Sequence, residues 1–156
     1  MGPTALLAES RLPRRQGHSL LEISLALALL GAGSWALTSA ARRVADRSAV
    51  RGAREEVAGL LARARREAIL YGGSEVVLTV EPPRASLFTD GSRSASTPDL
   101  RDAYGVSLDP GGGGETVRLR WDGFGLGRMT SRTVRFRRGR ARADLVISGR
   151  GRLRRR

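Results

Sequence analysis

The chain has 156 residues and a formal net charge of +13, from 28 basic side chains, all of them arginine, and 15 acidic ones. It contains neither Cys nor Lys, which excludes disulfides, thiolate metal sites, P-loop lysines and Schiff-base chemistry. The one histidine, His18, is too near the N-terminus to suggest a catalytic triad, so we expect a small non-enzymatic domain that uses no cofactor.

The excess positive charge lies in the last quarter of the chain. Residues 1–117 contain 14 Arg and 13 acidic residues, whereas residues 118–156 contain 14 Arg and only Asp122 and Asp144. This asymmetry indicates an anionic partner that is reached through the C-terminal segment.

The N-terminal half predicts one long helix. After an irregular segment 1–17, we predict that residues 18–41 are the membrane-spanning half of the helix. Residues 20–41 are apolar apart from Glu22 and small hydroxyl residues, and as a helix they span roughly 33 Å, enough for a bilayer core. Residues 42–71 form an amphipathic continuation. Its apolar residues recur at spacings of three and four, which places them on one face: Val50, Ala53, Val57, Leu61, Ala64 and Ala68. We therefore predict a continuous helix from about residue 18 to 70.

Beyond the helix, the period of the pattern changes from 3.6 to 2 residues, which predicts a β-rich domain over 72–156. Segments rich in Gly, Ser and Asp at 90–101 and 111–114 indicate loops. The tail 149–156 either extends the last strand or is mobile. The predicted strands cover 75–80, 85–88, 104–108, 116–121, 133–137 and 141–148.

The residues around Glu22 form the most specific motif, because a carboxylate within an apolar span is costly and usually has a partner. Residues 14–23, Arg-Arg-Gln-Gly-His-Ser-Leu-Leu-Glu-Ile, resemble the prepilin leader junction of type IV pilins and pseudopilins. The resemblance implies that prepilin peptidase cuts between Gly17 and His18 on the cytoplasmic side and that the new N-terminus is methylated. It also implies that Glu22 pairs with the N-terminal ammonium of a neighbouring subunit in a filament. His18 differs from the apolar residue usual at its position, which leaves its methylation open.

Three other interpretations of the N-terminus stay open. Glu22 could lie at the membrane edge and reach water. An ordinary secretory signal would be cut after the apolar run, for instance after Ala40, although the run is long for such a signal and the helical pattern continues beyond it. The positive-inside rule alone favours the inverted orientation, because the arginines after the span outnumber those before it.

Both ends of the remaining chain are similar to the GspH/FimT family of minor pilins and pseudopilins. Residues 60–80 resemble its passage from helix to strand, and residues 133–136, 145–148 and 151–154 resemble its closing strands and Gly-Arg-x-Arg ending. Residues 82–115 match no motif. The resemblance implies an α+β fold, in which a long N-terminal helix packs on a small antiparallel β-sandwich. It also implies a single-pass anchor in the inner membrane, a periplasmic C-terminal domain, and assembly with other pilin subunits in a type II secretion or type IV pilus filament.

In DNA-uptake members of this family, the Gly-Arg-x-Arg ending contacts DNA. The resemblance therefore implies Gly151, Arg152 and Arg154 as DNA-binding residues, with Arg150 in an overlapping match. On a strand, Arg150, Arg152 and Arg154 would project to one face, where guanidinium groups bind phosphates without reading sequence. The same arginines could instead serve solvation, anionic lipid headgroups or an acidic protein. A membrane-anchored basic protein unrelated to pili is a further hypothesis.

Overall fold

The computed structural model describes residues 19–156. Its longest element is α1 (Leu20–Tyr71), an uninterrupted helix of 52 residues, which confirms the predicted continuous helix. Gly72 follows with a φ of +83°. Glycine adopts this left-handed conformation without steric cost, so the chain leaves the helix here and enters the first strand.

The N-terminal part of α1 belongs to a compact unit that ends at Thr38. It contains an 18-residue window with a mean hydropathy of 1.8, none of which is buried within the chain. Large apolar side chains in it are exposed, for example Leu30 at 68% and Leu37 at 73%. A core helix of a soluble protein buries such side chains. The helix is therefore long and apolar enough to span a membrane near the N-terminus, although a signal sequence meets the same criteria.

The second unit, Ser39–Arg156, contains the end of α1 and two antiparallel sheets of four strands. The strand order is β3-β2-β1-β5 in one sheet and β4-β6-β7-β8 in the other. The expected α+β class with a long N-terminal helix is thus confirmed. The elements after α1 are β1 (Gly73–Thr79), β2 (Arg84–Thr89), β3 (Ser92–Ser96), α2 (Leu100–Tyr104), β4 (Ser107–Asp109), β5 (Thr116–Asp122), β6 (Arg132–Arg138), β7 (Ala141–Ile147) and β8 (Leu153–Arg155).

One hydrophobic core joins the C-terminal part of α1 to both sheets. The six helix residues predicted to share a face are at most 1% exposed: Val50, Ala53, Val57, Leu61, Ala64 and Ala68. They form one cluster with alternate strand residues, among them Leu78 of β1, Leu119 of β5 and Phe136 of β6. The helical period of 3.6 and the strand period of 2 produce these apolar faces, so their burial against one another positions the helix on the sheets.

Polar contacts fasten α1 to an edge of each sheet. The Glu67 carboxylate accepts hydrogen bonds of 2.8 Å from the hydroxyls of Thr89 in β2 and Ser94 in β3. On the other sheet, Glu55 pairs with Arg155 of β8 at 2.8 Å. The hydrogen bond from Arg155 is the largest cause of the lowered pKa of the Glu55 carboxyl. The helix is therefore bound to both of the short edge strands, β3 and β8.

The prediction of a loop over 90–101 is wrong, because this segment contains the edge strand β3 and leads into α2. β3 has the sequence Ser-Arg-Ser-Ala-Ser, in which apolar and polar residues do not alternate. It is recruited by backbone pairing with β2, between Ser86 and Ser96 at one end and Thr89 and Ser92 at the other. The hydrophobic pattern therefore carried no signal for it.

The strand predicted over 104–108 begins later than expected. Residue 104 belongs to the short helix α2, and β4 begins only at Ser107. The N-cap of α2 is Asp99, whose side chain accepts hydrogen bonds from the backbone N–H groups of Arg101 and Asp102. Gly105 ends the helix with a φ of +64°. The capping bonds give Asp99 a structural role in this turn.

Candidate assembly and anion-binding sites

The predicted leader junction lies at the edge of the described chain. Gly17 and His18 fall outside the described residues, so cleavage between them stays a prediction. Glu22 lies in the first turn of α1. Its backbone N–H donates to the carbonyl oxygen of Ser19 at 3.0 Å and to the Ser19 hydroxyl at 3.2 Å. Ser19 thus caps the helix, and the cap places a negative side chain near its positive end.

The described residues that share a cleft with Glu22 are apolar. A shallow cleft of about 320 Å³ lies beside it and is lined by Ile23, Ala26 and Leu27 of the same helix. Ile23 is 48% exposed and Leu27 64%. Glu22 is the only ionisable residue from 19 to 41. In hydrocarbon or among similar helices, its carboxylate requires a cationic or hydrogen-bonding partner.

The predicted DNA-binding residues do not form one row along a strand. Arg154 lies in β8, but Arg150 and Arg152 lie in the tight turn between β7 and β8. The turn is closed by a 2.8 Å bond from the Gly151 N–H to the Ser148 carbonyl and a 2.9 Å bond from the Ser148 N–H to the Arg152 carbonyl. The predicted strand alternation of the three arginines is therefore wrong, because the positive φ of Gly151, +79°, interrupts the extended chain.

Gly151 is required by the packing beneath this turn. It is buried, and a Cβ placed on it would lie 2.5 Å from Nε1 of Trp121. A neighbouring loop comes equally close, since a Cβ on Gly127 would lie 2.6 Å from the backbone nitrogen of Gly151. The glycine of the Gly-Arg-x-Arg ending therefore has a structural role in this chain.

Arg154 joins the arginines of the β6–β7 hairpin. On these strands, arginine positions alternate with the buried residues Val134, Phe136 and Leu145. Asp144 lies among the arginines and accepts hydrogen bonds of 2.8 and 2.6 Å from Arg142, which lower the pKa of the Asp144 carboxyl. The arginines on the face away from the core are called the outer arginine face: Arg135, Arg137, Arg142 and Arg154.

The arginines near the C-terminus differ in their pairing. Within residues 19–156, the guanidinium groups of Arg150, Arg152 and Arg154 form no ion pair, whereas Arg142 and Arg155 are bound to carboxylates. All three unpaired arginines are exposed. Exposed guanidinium groups of this kind suit a partner that carries phosphates or carboxylates.

Sequence reasoning missed a second surface feature, the loop 123–127 after β5. Its side chains Phe124 and Leu126 are 84% and 47% exposed. The Asp122 carboxylate accepts hydrogen bonds from the backbone N–H groups of Phe124 at 3.1 Å and Leu126 at 2.9 Å. The Leu126 bond is the largest cause of the lowered pKa of Asp122. An Asp followed by alternate glycines was the available signal, since Asp initiates such turns.

No protein-family model, no curated protein and no solved structure matches this chain. A long N-terminal apolar helix followed by a small domain of antiparallel sheets is a pilin-like layout. Function is therefore inferred from the residues and the geometry of the chain itself.

Proposed function

We propose that the chain is a minor pilin or pseudopilin of the GspH/FimT type, a subunit of a type II secretion or type IV pilus filament. The observation that carries the proposal is the continuous helix α1. It has one carboxylate, Glu22, in the first turn of its exposed apolar part, and its C-terminal part packs on two small sheets. In this proposal, prepilin peptidase removes residues 1–17, and the inner membrane holds the mature chain, with its β domain in the periplasm, until assembly.

The proposed role is mechanical, and the two parts of α1 have different packing partners. The C-terminal part buries its apolar face within its own domain. The N-terminal part keeps its large side chains exposed and is thus able to pack against the helices of other subunits. Glu22 pairs with the ammonium group of His18 in the adjacent subunit. Within an apolar filament core, two opposite charges that satisfy each other avoid the penalty of a single buried charge.

The intact mass of the mature protein, co-expressed with a prepilin peptidase, tests this proposal. We expect the loss of residues 1–17, so that the mature chain begins at His18. A Gly17→Val variant is the matched control, because it keeps the apolar span and should stay uncut. An uncut native chain would instead favour a membrane-anchored basic protein unrelated to pili, and a cut near Ala40 would favour an ordinary secretory signal.

A second candidate function, DNA binding during uptake, is favoured by the unpaired arginines at the C-terminus. Arg150 and Arg152 are exposed in the turn, and Arg154 extends the outer arginine face. Contacts between guanidinium groups and phosphates bind DNA of any sequence. They weaken as salt rises, because binding releases the counterions of the DNA.

Replacing both Arg152 and Arg154 with Gln should weaken binding to duplex DNA. The plot of log K against log salt has a negative slope, and the loss of two phosphate contacts should make that slope less steep by about 1.8. Fluorescence anisotropy at several salt concentrations measures it. The control replaces Arg118 and Arg120, which contact Glu75 at 3.5 and 3.2 Å, and removes the same charge from β5. Unchanged affinity in the first variant would exclude Arg152 and Arg154 from DNA contact. Equal weakening in both variants would show that the effect comes from net charge alone.

A further inference from the structure

The end of α1 and the loop after β5 form one apolar surface, called the knob. All of its side chains are exposed, from 47% for Leu126 to 84% for Phe124. The two segments touch, because a Cβ on Gly125 would lie 2.9 Å from Cδ1 of Ile69. Large apolar side chains exposed at such a junction are typical of an interaction surface. The knob consists of Ile69 of α1 and of Phe124 and Leu126 of the loop.

The loop half of the knob is fixed in position within the folded chain. Besides its two backbone hydrogen bonds, Asp122 pairs with Arg128 at 3.0 Å. Gly125 has a φ of +68° and lies against Ile69 without space for a side chain. A partner of Phe124 therefore has little loop entropy to remove. Aromatic side chains presented in this way are typical anchors of protein interfaces.

A groove of about 460 Å³ lies between α1 and β3 in the same unit. Its lining includes Leu60 and Gly59 of the helix and Ser96 of β3. A Cβ placed on Gly59 would meet nothing within 4 Å. No contact within the described chain thus requires glycine there, although glycine weakens a helix relative to alanine. The open surface that Gly59 leaves is accessible to a side chain from outside.

Charges beside the two surfaces are complementary. Glu56 lines the groove and forms no ion pair among residues 19–156. Arg65 lies against the knob, with its Cγ 3.3 Å from the Cβ position of Gly125, and likewise has no acidic partner in the described part of the chain. The other end of the groove carries Arg63 and Arg66. These would repel Arg65, so only one orientation of the knob brings opposite charges together.

We propose that the knob of one copy of this chain inserts into the groove of the next copy. Phe124 would pack over Gly59 and the small exposed part of Leu60, and Arg65 would face Glu56. Because the two surfaces differ, the contact is heterologous, so its repetition adds copies in one direction instead of closing a symmetric dimer, as a filament requires. The inference rests on the proposed filament function, to which it adds a contact between β domains.

Disulfide trapping between single-cysteine variants tests this contact, since the native chain has no Cys. Full-length Leu126→Cys and Ser96→Cys chains are mixed in detergent micelles and oxidised. We expect the 126–96 heterodimer to form at least about fivefold faster than either symmetric disulfide. Adding Phe124→Asp to the Leu126→Cys chain should slow it by a similar factor, because removing an interface anchor costs about 1–2 kcal/mol or more, a factor of five or greater. Phe124→Leu should retain most of the reaction.

Thr116→Cys in place of Leu126→Cys is the matched control, because Thr116 is also exposed and on β5 but lies away from the knob. A preferred 126–126 disulfide would overturn the proposal in favour of a symmetric contact, and no preference in folded chains would also overturn it. Binding of single-stranded DNA that Phe124→Asp abolishes would assign the knob to nucleic acid instead. Since intact mass reports leader cleavage separately, a processed chain without the 126–96 disulfide rejects only this contact.

Discussion

Replacing Glu22 with Gln should abolish incorporation of the chain into filaments while leaving removal of the leader intact. The substitution keeps the shape of the side chain but removes its charge, so the N-terminal ammonium of the neighbouring subunit would be buried without a partner. Breaking a buried pair in this way costs about 3–5 kcal/mol, which corresponds to at least about two orders of magnitude in the association constant. The measurement is the amount of processed protein in sheared filaments relative to the membrane fraction.

Two variants at the start of α1 control for effects other than charge. Glu22→Asp keeps the carboxylate on a shorter side chain and should restore part of the assembly. Ser24→Ala removes a hydroxyl that donates to the carbonyl of Leu20 at 2.8 Å within the helix, so it should assemble normally. Assembly of Glu22→Gln at the native level would contradict the proposed pairing and favour a Glu22 that reaches water at the membrane edge.

The parts of the fold that the sequence predicted are those with a strong hydrophobic period. Six buried residues of α1 were predicted, because they recur at helical spacing and pack directly against the sheets, whereas the buried Ala58 and Leu60 were not. Strands β5 and β6 lie within a residue of their predicted bounds at 116–121 and 133–137. In each of them, buried apolar residues alternate with more accessible polar ones, and tertiary packing follows that alternation.

The edge elements and the candidate surfaces depend on contacts between distant residues, which local patterns do not specify. β3 has Ala95 as its only apolar residue and β8 has only three residues, so both exist through pairing with a neighbouring strand. The outer arginine face depends on the register that brings Arg154 beside Val146 of β7. The knob depends on the contact of Gly125 with Ile69. Residue types indicated an anionic partner, but their arrangement on the surface required the folded chain.

The glycine of the Gly-Arg-x-Arg ending leads to the largest expected effect on stability. Gly151→Ala should destabilise the β domain by about 2–5 kcal/mol, from a left-handed backbone that costs about 1–2 kcal/mol with a side chain and from overpacking that costs about 1–3 kcal/mol. The overpacking arises because the new methyl group would lie 2.5 Å from Nε1 of Trp121. Urea unfolding of the processed chain in detergent, followed by near-UV circular dichroism, measures the loss.

Gly113→Ala is the matched control for this prediction. Gly113 has a φ of +76°, close to the +79° of Gly151, but a Cβ there would meet nothing within 4 Å. It should lose only the backbone part, about 1–2 kcal/mol, and the difference between the variants measures the contact with the indole.

Adding Trp121→Phe to Gly151→Ala should restore part of the stability, since Nε1 has no hydrogen-bond partner among residues 19–156 that phenylalanine would remove. Equal losses for both alanine variants would show that the indole moves aside freely. In that case position 151 requires glycine only for its backbone conformation. A DNA-binding defect in Gly151→Ala would then arise from a changed backbone path in the turn that carries Arg150 and Arg152.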